Sequence, residues 1–145
     1  MSISVTKALS ASAELLDGLN SLLPQLSSSA PVLTMSDVEA MVDSDAATLF
    51  VASDHGVIVG TLTLVIFSIP TGLRGWIEDV VVDEDARGLG IGEALTMAAV
   101  DEARQRGVRS LDLTSRSSRE AANALYQKLG FERRDTSVYR FSLDI

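Results

Sequence analysis

The sequence predicts a mixed α/β chain, with a mostly antiparallel central sheet flanked by helices in the order βααβββαβαββ. Three observations predict it. Leucines near the N-terminus recur at helical spacing, β-branched runs between residues 47 and 82 are parted by turn residues, and a glycine-rich turn then joins a strand to a helix. That last junction opens a right-handed strand–helix–strand crossover, which places two parallel strands in the sheet. At 145 residues, one compact domain over 1–145 is expected, long enough to bury a sizeable core.

The elements follow in order. "SISVTKA" alternates and is β-branched, so it reads as a first strand. Leu15, Leu19, Leu22 and Leu26 then mark one face of a helix that Pro24 ends or kinks. After the loop "LSSSAP", Ser36 and Glu39 have the spacing of a capping box, opening a short helix through Val38, Met41 and Val42. "ATLFVAS" and "VIVGTLTLVIF" form a hairpin around "DHG", and "RGWIEDVVV" is the next strand. A helix from Ile91 to Arg106 carries Ile91, Ala94, Leu95 and Ala98 on one face, with Gly107 as its stop. "RSLDLTS" is a strand. A helix from Ser118 to Leu129 follows, capped by Ser117 with Glu120 and ended by Gly130, and "FERRDTSVYRFSL" closes the chain as a hairpin.

Composition removes whole classes of function. The formal net charge of −8 argues against a nucleic-acid backbone or an anionic membrane as partner, although a local basic residue still serves a small anion. With no cysteine and one histidine, His55, there is no disulfide, no thiolate site, no cysteine nucleophile and no multi-histidine metal site. The N-terminus lacks a basic stretch followed by an apolar core, and the apolar run Val57 to Ile69 is too short for a spanning helix. A cytoplasmic protein without a metal is expected.

The chemistry starts at "ARGLGIGEAL", residues 86–95. Glycine disfavours helix, so Gly88, Gly90 and Gly92 at a helix entrance need a reason. The first amides of a helix have no partner inside it and sit at the positive end of its dipole, so side-chain-free residues there let main-chain N–H groups wrap a phosphate, with Arg87 as a charged donor. Close packing of helix on sheet is the competing reason. A P-loop needs Gly-Lys-Ser/Thr, and no lysine stands nearby. A dinucleotide fingerprint fails at its third glycine, which is Glu93 or Leu95 depending on the start, although Asp112 stands where that motif wants an acid. The pattern Arg-x-x-Gly-x-Gly is met by Arg87, Gly90 and Gly92.

With "IEDVVVDEDARGLGIGEAL" and, further on, "NALYQKLGF", the stretch from Trp76 to Phe131 resembles the GNAT acyltransferases, which use acetyl-coenzyme A. The resemblance implies that the coenzyme pyrophosphate rests on the amides of Gly88, Leu89, Gly90, Ile91, Gly92 and Glu93. It implies that the pantetheine arm runs along Val80, Val81 and Val82 like an added strand, inside a splayed parallel pair. It implies Asn123 as a contact to that arm and Tyr126 as the acid that protonates the leaving sulfur. Glu78 is the implied base, directly or through a water, with Asp79 as its rival. On a regular strand these two point to opposite faces, so one at most faces the acceptor.

Other residues are read more plainly. Asp83, Glu84 and Asp85 face solvent and depart from the more basic loops of the family. His55 lies in a turn. Trp76 packs, two positions from Glu78 on the same face. Arg116 and Arg119 stand at a helix entrance, within reach of the coenzyme's 3′-phosphate or of solvent alone. The implied activity is transfer of an acetyl group to a primary amine by direct attack, with a small molecule or a protein as acceptor. A non-catalytic acyl-CoA sensor is the alternative, and a nucleotide-binding regulatory domain a third. The leucine-rich first helix lines either an acceptor pocket or a homodimer interface.

Overall fold

The computed structural model describes residues 2–143, which gather into two compact units, 1–113 and 114–145. The first holds five strands and three helices: β1 (Ile3–Lys7), α1 (Ala13–Leu26), α2 (Met35–Asp43), β2 (Ala47–Asp54), β3 (Val57–Ile69), β4 (Gly72–Val82), α3 (Ile91–Gln105) and β5 (Ser110–Asp112). The strands lie in the order β1-β2-β3-β4-β5, antiparallel except for the final pair, β4 with β5. This is the expected mixed α/β sheet. The turn between β2 and β3 is tight because His55 (φ 50°) and Gly56 (φ 82°) are both left-handed, the geometry that matches the twist of the two strands.

Register assigns the faces, since residues paired across a sheet share one. Leu49, Thr63 and Glu78 form one row, and Val51, Thr61 and Val81 the next. Leu49 and Val51 are buried with Leu15 and Leu19 of α1 and Val38 of α2. Leu15, Leu19 and Leu22 of the α1 stripe are therefore committed to the core of this chain, while Leu26 is half-buried. Phe50, Leu62, Leu64 and Ile77 occupy the opposite face, where α3 buries Ile91, Leu95, Ala99 and Ala103. Gly60 lets that helix approach: a β-carbon there would stand 3.1 Å from both Ile91 and Leu95. Ala94 and Ala98, expected on the buried stripe, are only half-buried, because the contact line follows the i, i+4 row.

Helix boundaries differ from expectation in two places. The capping box of α2 is Thr34 with Asp37, in which Asp37 Oδ2 accepts from the Thr34 amide at 2.8 Å and Thr34 Oγ1 accepts from the Asp37 amide at 3.2 Å. Aspartate at this position closes the box as glutamate would, so the helix starts ahead of Ser36. Pro24 lies in the last turn of α1, which runs on to Leu26. No helix among the described residues is long and apolar enough to cross a membrane.

The second unit contains α4 (Glu120–Lys128). Its cap residue is Arg119, with no side-chain cap, so the Ser117–Glu120 box does not form. Asn123 holds the preceding turn instead, its amide donating to the carbonyls of Arg116 (2.8 Å) and Arg119 (2.9 Å). The closing hairpin is not formed within the described residues: 131–143 carry no strand, and Val138, Tyr139, Phe141 and Leu143 are 73–92% exposed. Alternating apolar residues supply strand propensity, but a strand exists only through a paired neighbour.

Candidate active site

The strand, turn and helix that carry the glycines form the candidate anion cradle. After Val82, a 3₁₀ turn over Glu84–Ala86 is closed by the Asp83 side chain, whose Oδ1 accepts from the Asp85 amide at 3.0 Å, and the Glu84 amide donates to Gln25 Oε1 at 2.9 Å. Asp83 is thereby tied into the turn itself. Arg87 follows, exposed, and then the backbone turns left-handed at Gly88 (φ 82°) and again at Gly90 (φ 80°). A β-carbon at either would meet nothing within 4 Å. Close packing is therefore not why these two are glycine; the open space beside them is free for a ligand.

Gly90 is the N-cap of α3 and has no side chain to cap it, whereas α1 and α2 are capped by Ser12 and Thr34. The amides of Ile91 and Gly92 thus have no partner within the helix, and with Glu93 they stand at the positive end of its dipole. Ile91 anchors this turn from below, 2% exposed, while Leu89 lies on the surface. The residues present fit a diphosphate: main-chain N–H donors at an uncapped helix start, an arginine close in sequence, and open space where β-carbons would stand at Gly88 and Gly90.

The neighbouring strand offers an open edge. β4 pairs with β5 only at Arg74, Gly75 and Trp76, so residues 77–82, including Val80, Val81 and Val82, keep β3 as their one ladder partner among the described residues. Such an edge accepts an extended polar chain as an added strand. Within it lies a β-bulge: Thr63 pairs with Glu78 and Thr61 with Val81, so Asp79 and Val80 together oppose Leu62 alone. Asp79 adopts φ 50°, a left-handed conformation that aspartate tolerates. The strict alternation expected of Glu78 and Asp79 therefore does not hold. Asp79 is the bulge residue, and Glu78 ends the regular strand.

Glu78 is exposed, and its Oε1 accepts a 2.6 Å hydrogen bond from Trp76 Nε1. The sequence favours packing over substrate recognition for Trp76, and places it on the same strand face as Glu78. Its i, i+2 spacing from Glu78 and its indole N–H were the signal that could have found this contact.

In the second unit, Tyr126 is half-buried on α4 and meets the Phe131 ring edge-to-face at 5.8 Å. Burial pushes its phenol above the ordinary value of 10.0, and the Arg119 guanidinium offsets part of that rise. The group therefore keeps its proton throughout the neutral range. Asn123, three residues before it, uses its amide N–H groups locally and has only its oxygen to offer an incoming ligand. No cluster of three potential metal ligands occurs among the described residues.

Comparison with known proteins adds the family. Residues 16–131 match the model of the acetyltransferase (GNAT) family. The mycothiol acetyltransferase of Paenarthrobacter aurescens (strain TC1) is 48% identical over 59 residues, 41% of this chain and 18% of that protein. The [ribosomal protein bS18]-alanine N-acetyltransferase of Escherichia coli (strain K12) is 45% identical over 53 residues, 37% of this chain and 36% of that one. The crystal structure of a Trypanosoma brucei acetyltransferase superposes with a TM-score of 0.79 at 29% identity, covering 97% of this chain and 99% of the other. The chain spans less than half the length of the curated relatives it matches, from 18% to 49%. The family match extends over most of the sequence and includes both the glycine turn and α4, and this chain belongs to the GNAT acetyltransferase family.

Proposed function

We propose that this protein is an acetyl-CoA-dependent N-acetyltransferase that acts on a primary amine by direct attack in a ternary complex. The observation that carries the reading is the open, doubly left-handed glycine turn at the uncapped start of α3, beside the unpaired edge of β4. We read the two units as parts of one domain, since the family match runs through both.

The coenzyme supplies an activated thioester; the chain supplies grip and proton traffic. Amides from Gly88 to Glu93, with Arg87, would hold the diphosphate, and the Val80–Val82 edge would hold the amide-bearing arm. As the new C–N bond forms and the C–S bond breaks, an N–H in the Asp79–Val80 bulge donates to the carbonyl oxygen, where negative charge grows. Glu78 takes the proton that the amine must lose, directly or through a water, and the Tyr126 phenol gives its own to the departing sulfur. Asn123 accepts from the arm through its oxygen. With no cysteine in the chain, direct attack needs no acyl-enzyme.

The relatives' names mention mycothiol and an alanine of ribosomal protein bS18. The net charge of −8 favours a cationic amine over a sugar phosphate. A screen of acetyl-CoA turnover over polyamines, amino sugars, amino acids and peptides, read as free thiol released, tests the proposal. Saturable release with one class supports it. Saturable coenzyme binding with no release from any class would leave the non-catalytic sensor in its place.

A further inference from the structure

We propose that Trp76 is a positioning residue for Glu78, its indole N–H holding one carboxylate oxygen so that the other is presented to the incoming ammonium group. The inference rests on the transferase reading and adds a residue to its acceptor side.

The geometry begins with the strand. Residues two apart on β4 share a face, and here the Trp76 Nε1 to Glu78 Oε1 distance is 2.6 Å. An indole N–H can only donate and an ionised carboxylate can only accept, so the direction of the bond is fixed. Trp76 is half-buried, paired in register with Val65 on one side and Asp112 on the other, so the donor is fixed while glutamate alone would turn about three bonds. Glu78 is also the last residue before the bulge at Asp79 and Val80.

Glu78 also lacks a cation. Among the described residues no ion pair and no second side-chain hydrogen bond reaches its carboxylate. The basic residue nearest in sequence on the same face, Arg74, is turned to Ser110 Oγ (3.2 Å) and Thr71 Oγ1 (2.9 Å). A charged carboxylate that is anchored by a neutral donor and left without a counter-ion suits a cationic amine. The other titratable groups on elements packed against β4 are Asp112 on β5, Glu14 and Asp17 on α1, and Glu93, Asp101, Glu102 and Arg104 on α3; β3 has none.

Trp76 is the only tryptophan, so its emission reports this contact without any assay of turnover. On the intact protein, emission measured from pH 8 down to pH 3 should follow one carboxylate titration, persist in Asp112→Asn and vanish in Glu78→Gln. A flat wild-type profile, or a step that survives Glu78→Gln, overturns the contact and leaves the transferase reading standing. In turnover, Trp76→Phe should lower kcat/KM for the amine about tenfold or more while leaving coenzyme affinity unchanged. A Trp76→Phe kcat/KM for the amine equal to that of the wild type overturns the positioning role. Glu78→Gln turning over at the wild-type rate overturns Glu78 as base, and the role of Trp76 with it, even where the emission titration is seen.

Discussion

Gly88 and Gly90 hold the same left-handed backbone two residues apart, at φ 82° and 80°, and both face open space where a β-carbon would stand. The pair thus serves conformation and access together. Substituting Gly90 with valine adds a side chain that no neighbour obstructs, yet it strains the backbone by about 1–2 kcal/mol. It also puts bulk against the amides of α3. Coenzyme A affinity should fall at least tenfold by calorimetry, with a drop in Tm of about 2–8 °C.

Tyr126→Phe removes the proposed acid and little else, since the ring contact with Phe131 remains. Turnover should fall about 10²-fold or more while coenzyme A binding stays within a factor of two or so. Because burial raises this phenol, the folded state holds its proton more tightly than the unfolded chain. Its contribution to stability is complete below the unfolded value near 10.0 and is lost as pH rises through the folded value. Denaturant unfolding between neutral and strongly alkaline pH should show a decline in the wild type that is smaller in Tyr126→Phe.

Gly60 tests how α3 is seated. A β-carbon there lies 3.1 Å from Ile91 and Leu95 and 3.3 Å from the Val81 carbonyl, so Gly60→Ala pushes the helix off the sheet. We expect a loss of about 1–3 kcal/mol in chemical denaturation, together with weaker coenzyme A binding, because Ile91 sits at the first turn of the cradle.

Thr34→Ala should remove the α2 capping box and lower Tm by about 2–8 °C without changing coenzyme affinity. Hydrogen bonds from the Thr34 backbone and hydroxyl hold the Asp37 carboxyl below its ordinary value of 3.8. This stabilisation is present above the unfolded value and lost as pH falls through the folded one, so the gap between mutant and wild type should close under acid.

Much of this was legible in the sequence because it depends on neighbours in the chain. The glycine turn was found from spacing and from glycine's freedom at positive φ, and the strands of the sheet from β-branched runs and turn residues. What escaped depends on distant partners. The bulge at Asp79 follows from the register of β4 against β3, which no local pattern encodes. Ser36–Glu39 and Thr34–Asp37 are both acceptable boxes by composition, and packing of Val38 into the core fits the latter. The hairpin expected over 131–143 had the right alternation without a partner to pair with. The same-face spacing of Trp76 and Glu78 is legible in the chain, but the contact between them is not, because spacing does not say which way either side chain turns.

The most direct test of the account compares coenzyme A with pantetheine by calorimetry on the wild-type protein, since pantetheine lacks the diphosphate that the amides of residues 88–93 would grip, together with the adenosine 3′-phosphate. The account predicts saturable binding of coenzyme A and binding of pantetheine weaker by about 10²-fold or more. Equal affinity for the two, or no saturation by coenzyme A at millimolar concentration, would contradict it.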